Sequence, residues 1–322
     1  MAQNLAKPTA EMHPLRFVIE RDEADVMRRE MGLAAVTDLL PALVPAAQRM
    51  ARPSISGYHV GACALGASGR IYLGVNVEFP GVPLHHTIHA EQFVVTNAAI
   101  HGERAICFLA VSDFPCGHCR QFLQEIRSAS QIQILITGGD FSAADKYRPL
   151  YYFLPHPFGP SDLLNKDVPL LLEPHRNDLI DEEDEIGGGV EKREICVNGL
   201  GIMEEELRAA AVKAAMAAHA PYSGCASGFA LAGCDGKVYS GSYIESAAYN
   251  PSVGPLQAAV VAYLAAGASG GGGVGEGIVA AVLAEREGAA VSQEATARTL
   301  LAAIAPKVRL SVYPLRSSAG TV

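Results

Sequence analysis

Residues Ser56–Glu78 (SGYHVGACALGASGRIYLGVNVE) return 167 positions later as Ser223–Glu245 (SGCASGFALAGCDGKVYSGSYIE), without a gap. Eight of the 23 columns are identical, and Arg/Lys, Ile/Val and Val/Ile fill three more. Five of the identities are glycine, so the order of features carries more weight than the count. Each copy is preceded by an Ala-rich helical stretch, Pro45–Ala51 or Glu204–Ala218, and contains a hairpin with Gly69 or Gly236 at its turn. Each then continues into an apolar helix. A chain of 322 residues is long enough for two domains of ordinary size, and the repeat makes them duplicates of one unit.

The copies differ in chemistry. The first contains His89-Ala-Glu91 and then Pro115-Cys116-Gly-His-Cys119. Cys116 and Cys119 have the usual spacing of a zinc-binding pair. Ala105–Val111 reads as a short apolar strand, Pro115 suits a first helical turn, and the run from Cys116 to Ile126 reads as a helix. Both thiols then sit at a helix N-terminus, where the dipole favours thiolate. His89 opens a second apolar helix, Ala90–Ile100. Glu91 lies two residues on and does not share a helix face with His89, so it can approach a metal-bound water without being a ligand. Three protein ligands leave a fourth position for water, whose pKa a catalytic zinc lowers towards about 7. A structural zinc or a redox pair is the competing reading of the cysteines, with His85, His86 or His118 as a fourth ligand. His118 between the two thiols reads as a surface or supporting residue.

In the second copy, with one deletion, Pro255-Leu256-Gln257 stands where His89-Ala90-Glu91 stood, Tyr243 replaces Asn76, and no cysteine follows Cys234. One zinc per chain is expected, with the second domain structural. Boundaries are expected at 1–31 for an N-terminal segment, 32–172 for the catalytic domain, 173–192 for a flexible linker and 193–322 for the degenerate domain. The linker carries Asp181-Glu-Glu-Asp-Glu185 and Gly187-Gly-Gly189. A glycine cluster at Ser269–Gly277 reads as a mobile loop.

Composition narrows the partners. Hydrophobic residues make up 49% and charged residues 18%, as in a soluble globular protein. The apolar stretch Leu256–Ala266 is too short to span a bilayer. The first residues show no signal-peptide core, so a cytoplasmic, reducing setting is expected, with Cys63, Cys107, Cys196, Cys225 and Cys234 as small buried residues. A net charge of −9 and the lack of a basic run argue against nucleic acid as a partner.

The pattern H-x-E followed by P-C-x-x-C is the signature of zinc nucleobase deaminases. Together with Ser56-Gly-Tyr-His-Val-Gly-Ala62, Asn76-Val-Glu78, His89-Ala-Glu-Gln92, Pro115-Cys-Gly-His-Cys-Arg-Gln-Phe122, Leu154-Pro-His-Pro-Phe-Gly-Pro160 and Asn250-Pro-Ser-Val-Gly-Pro-Leu-Gln257, the chain resembles the two-domain, homodimeric type of cytidine deaminase over nearly all its length. The resemblance implies an α/β fold, a three-layer αβα unit on a mixed five-stranded sheet, present twice. It implies zinc on His89, Cys116 and Cys119, and Glu91 moving protons during deamination of cytidine and 2′-deoxycytidine in pyrimidine salvage. It also implies ribose hydroxyls on Asn76 and Glu78, Tyr58 packed against the nucleoside where the family often has Phe, and Phe158 closing the base pocket. Each site of the homodimer would be completed by the partner subunit. Asn76 and Glu78 alternate on a strand and so share a face, which suits a sugar. Alternatives are a deaminase of nucleotides or single-stranded nucleic acid, which would want an Arg- or Lys-rich phosphate site, and a non-catalytic structural-zinc protein.

Overall fold

The computed structural model describes residues 16–138, 147–180, 194–197, 200–268 and 272–317. The acidic run and glycines of the expected linker, the start of the N-terminal segment and the side chain of Cys196 lie outside the described residues.

Strands β1 (Val18–Ile19), β2 (Gly61–Gly66), β3 (Ile71–Val75), β4 (Ile106–Val111), β5 (Gln133–Ile136) and β6 (Arg148–Pro149) form one sheet in the order β1-β3-β2-β4-β5-β6. Strands β7 (Leu179–Ile180), β8 (Glu194–Val197), β9 (Leu200–Met203), β10 (Ser227–Gly233), β11 (Val238–Ser242), β12 (Ile278–Arg286) and β13 (Leu310–Ser317) follow. β8 and β9 pair with each other, and the rest form a second sheet, β11-β10-β12-β13-β7. In each sheet one neighbouring pair is parallel, β4/β5 and β12/β13, and the other pairs are antiparallel. The order β3-β2-β4-β5 is thus repeated as β11-β10-β12-β13. Even the β-bulge recurs at the repeat offset, between Leu65 and Gly66 and between Ala232 and Gly233. The first sheet has six strands rather than five because two-residue edge pieces flank its four-strand centre.

The main helices are α1 (Arg21–Glu30), α2 (Val36–Met50), α3 (Ala90–Ile100), α4 (Gly117–Phe122), α5 (Glu204–Met216), α6 (Pro255–Ala265) and α7 (Glu294–Ile304). Strand alternation distributes them over both faces. Leu39, Leu43 and Val44 of α2 pack on Cys63, Ile71 and Leu73, whereas Ala90 and Val94 of α3 pack on Ala62, Ala64 and Tyr72. In the second copy α5 covers Ala230 and Val282, and α6 with α7 covers Phe229 and Leu283. The result is the αβα layering, twice. Helix α2 starts nine residues before the expected Pro45 and runs through Pro41 and Pro45. Each proline forgoes a backbone bond, and the burial of Leu39, Leu40, Leu43 and Val44 offsets that loss.

The repeated glycines have a mechanical reason. A Cβ on Gly74 would lie 2.3 Å from the Ala90 carbonyl oxygen, and one on Gly241 would lie 2.1 Å from the Ala259 nitrogen. Only a residue without Cβ lets α3 and α6 lie so close to their strands. Phe93 of α3 is fully buried in a cluster that also holds Val75, Leu256, Val260 and Phe229, so the copies share an apolar interior. Burying one such side chain is worth about 1.5–3 kcal/mol.

Several expectations change. The front of the linker is structured: Glu173 pairs with Arg127 at 2.7 Å, Asn177 Nδ2 donates to the carbonyls of Ala215, Met216 and Ala218 around the end of α5, and β7 joins the second sheet. The described half of the glycine cluster is also packed, since the Gly272 carbonyl accepts from Arg52 at 2.6 Å and Gly275 lies against Ile304. Cys63 and Cys225 are buried as expected, but Cys107 and Cys234 are exposed. Cys107 falls on the solvent side near the start of β4, and Cys234 lies in the turn after β10. No helix among the described residues is long and apolar enough to cross a membrane.

Candidate active site

Two helix starts converge at one end of the first sheet. His89 is the N-cap of α3, in extended conformation at φ −79° and ψ 156°, and its backbone N–H donates to Gln92 Oε1 at 3.1 Å. Cys116 is the N-cap of α4, and the chain continues through a short 3-10 turn, Leu123–Glu125. The expected single helix from Cys116 to Ile126 is thus an α-turn that tightens at its end. Each cap leaves its side chain outside the helix, facing the other.

The candidate ligand atoms of His89, Cys116, His118 and Cys119 lie within 4.8 Å of one another. Cys116 Sγ is 3.5 Å from His89 Nδ1. Soft thiolates with imidazole are the donor set that zinc selects, so the residues fit the metal. Cys119 is buried and Cys116 exposed. The Cys119 thiol donates to Cys116, which with the His89 contact draws the Cys116 thiol down to about 3 and drives that of Cys119 well above its usual value. Binding of a metal by both sulfurs would displace the proton that remains on the pair. His89 is raised by its bond to Cys116.

Glu91 is 4% exposed, and burial raises its carboxyl above the usual range. It contacts the Cys119 thiol, which places it at the edge of the cluster. A buried carboxyl of raised pKa beside a metal site suits repeated proton transfer near neutral pH.

His118 occupies a more specific place than the sequence reading gave it. Its Nε2 faces the Asn250 carbonyl at 3.1 Å, its Nδ1 is buried with no hydrogen-bond partner among the described residues, and the residue belongs to the cluster. The His85 and His86 rings are tilted against each other with centroids 4.5 Å apart, outside the cluster.

Asn76 and Glu78 follow β3 and are both buried. Asn76 Oδ1 accepts from Val60 N at 2.9 Å, and its Nδ2 donates to the Tyr58 carbonyl at 2.9 Å. Glu78 accepts from the N–H groups of Ile55 and Ser56 and from Ser56 Oγ. Burial pushes its pKa up, but these bonds outweigh burial and leave it lowered. Both residues organise the loop that carries Tyr58, a duty sequence reading did not foresee. Tyr58 is 58% exposed and its hydroxyl donates to Asp113 Oδ1 at 2.5 Å, tying that loop to the segment leading to Cys116. Phe158 is half-exposed, and its carbonyl accepts from Gln121 of α4. Asp113 and Gln92 were missed as site residues; the only sequence signal was their place beside Pro115 and Glu91.

A profile described as the cytidine and deoxycytidylate deaminase zinc-binding region matches residues 37–135, and a second of the same description matches 150–298. Cytidine deaminase 1 of Arabidopsis thaliana is 53% identical over 92% of this chain and 97% of its own length. A cytidine deaminase of Serratia proteamaculans is 38% identical over 89% of this chain and 86% of its own. The crystal structure of cytidine deaminase from Mycobacterium tuberculosis is 31% identical, covering 38% of this chain and 96% of that one at a TM-score of 0.33.

Proposed function

The chain belongs to the cytidine and deoxycytidylate deaminase family, and from that premise we propose that it hydrolyses cytidine and 2′-deoxycytidine to uridine and 2′-deoxyuridine, releasing ammonia, in pyrimidine salvage. The observation that carries this reading is the meeting of His89, Cys116 and Cys119 with a buried Glu91 whose carboxyl is raised. The three ligands would hold zinc, which when bound acidifies water enough to make it a nucleophile at neutral pH. Glu91 takes the proton of the water that adds to C4 of the pyrimidine and passes it to N3. The second water proton follows to the amino group, so that ammonia leaves and the carbonyl remains.

Asn76 and Glu78 would bind the ribose hydroxyls with capacity left over after the loop bonds. Asn76 Nδ2 has a second N–H, and Glu78 Oε1, which accepts only from Ser56 Oγ, has a further lone pair. Tyr58 would lie against the nucleoside and Phe158 would help close the base pocket. The large exposed side chains Ile55, Tyr58, Leu84, Phe114 and Tyr249 support a homodimer in which a second copy covers some of them. The working division is a catalytic domain up to about 172 and a non-catalytic domain from 193, in a cytoplasmic enzyme.

The unpartnered Nδ1 of His118 favours one other reading, a closed four-ligand structural zinc. An ultraviolet assay separates them. The zinc-replete chain should consume free cytidine and deoxycytidine with one ammonia per base, and leave a single-stranded oligonucleotide unchanged. Full zinc with no turnover would favour the closed site; preference for the oligonucleotide would overturn the nucleoside assignment.

A further inference from the structure

The second copy bonds to both helical segments that carry the candidate metal ligands. Gln92, next to Glu91, accepts from His89 N–H at 3.1 Å and donates through Nε2 to the Pro251 carbonyl at 2.8 Å. His118, between the two cysteines, reaches the neighbouring carbonyl, that of Asn250. Two consecutive carbonyls of one turn thus hold the starts of α3 and α4. The turn is built for that. Tyr249 sits at φ 62°, a costly conformation for a non-glycine residue. Ser252 Oγ donates to the Tyr249 carbonyl at 2.6 Å and accepts from Ser246 N at 3.0 Å, which fixes the loop.

The far end of the α4 segment is fastened too. Glu125 is fully buried. Its carboxylate accepts from Tyr222 Oη at 2.7 Å and from Ala247 N at 2.7 Å, and it lies 3.2 Å from His219 Nε2. These partners come from the segments that correspond, at the offset of 167, to Arg52, Ile55 and Pro80 of the first copy, beside the strand end that carries Glu78. In the second copy that place is taken up by a carboxylate of the first. An unpaired buried carboxylate would be severely penalised, so the two domains hold one relative placement while it is bonded.

We infer that Glu125 is a positioning residue for the deamination proposed above, and that the degenerate domain, through Tyr222, His219 and the Asn250–Pro251 turn, sets the approach of the two metal-bearing helix starts. This rests on the proposed function for its kinetic half alone. The candidate ligands sit on helix starts, where misplacement by about 1 Å can cost about 10²-fold in rate.

The test uses the full chain with Glu125→Gln and Tyr222→Phe. Gln keeps the volume but cannot accept from all three partners; Phe removes one donor far from the metal. Each is loaded with zinc for kinetics and with cobalt(II) for its visible ligand-field spectrum. Glu125→Gln should lower kcat about tenfold or more with KM for cytidine within about twofold, shift the cobalt bands and speed metal release. Tyr222→Phe should move each in the same direction by less, and the double variant should be no worse than Glu125→Gln. Should Glu125→Gln fail to fold, Tyr222→Phe alone decides by the same readouts. Wild-type cobalt spectra and kcat, with only a lower melting temperature, would overturn the inference and leave these bonds as adhesion between domains. If wild type itself does not turn over cytidine, the function fails separately, and the cobalt spectra and release rates still decide the positioning.

Discussion

Helices α3 and α6 are each eleven residues long, each lies against a strand through a glycine that admits no Cβ, and they pack on each other in a shared core. They differ at their first turn. The one starts His89-Ala-Glu91, and the other has Pro255-Leu-Gln257 at the corresponding place. Gln257 donates to the His86 carbonyl at 3.2 Å, whereas Glu91 is a buried acid beside two thiols. The fold rests on glycine clearances and apolar faces, and the chemistry rests on a few cap and first-turn residues. One can be lost while the other is kept, because the caps contribute little to burial and the glycines contribute nothing to catalysis.

Substitution at matched positions tests that separation. The largest effect should come from Glu91→Ala, which keeps zinc but loses about 10²- to 10⁴-fold in kcat or more, the usual worth of general acid–base catalysis. Gln257→Ala at the matching place should leave kcat within about twofold, since it loses one bond to a carbonyl. Steady-state kinetics on zinc-assayed protein compares them; equal losses would break the comparison.

Next is Asn76→Ala against Tyr243→Ala. Removing Asn76 leaves buried groups of the Tyr58 loop unpaired, worth about 1–3 kcal/mol, and should lower kcat/KM for cytidine by roughly 5- to 150-fold with zinc content unchanged. Tyr243→Ala should act on the melting temperature and little on KM. Cytidine saturation curves decide, and a normal KM and kcat for Asn76→Ala would remove the strand from the sugar site.

The smallest effect concerns pH. Glu78 is depressed in the folded chain, so its ionised form favours folding above the unfolded carboxyl value of about 4.3, and that contribution is lost as pH falls through the lower folded value. The stability deficit of Glu78→Gln should therefore be present at neutral pH and vanish in acid. Chemical denaturation at several pH values reads it; a deficit that persists below the folded value would mean the charge is not what Ser56 and Ile55 hold.

Much of this was legible in the sequence. The repeat offset places β3 on β11 residue for residue, and α3 runs from Ala90 to Ile100 as its apolar pattern predicts. His89 opens α3 as read, but Pro115, read into a first helical turn, lies before the Cys116 cap. What was not legible involves backbone or distant partners. Two-residue strands such as β1, β6 and β7 have no periodicity to read. Glu125 looks like a polar residue on a helix, and only the fold brings Tyr222 and Ala247 to it. Asn250 and Pro251 act through carbonyls, which every residue owns, so their side chains give no signal. Asn76 and Glu78 could be picked out as a polar pair, but not the loop that engages both.

The central claim is that one copy carries one metal and all of the chemistry. The most direct measurement is a zinc titration of the metal-free full-length chain, following cytidine turnover and bound metal in the same samples. Turnover should rise in proportion to zinc and stop at one zinc per chain. Saturation at two per chain with turnover rising throughout, or full zinc without turnover, would contradict it.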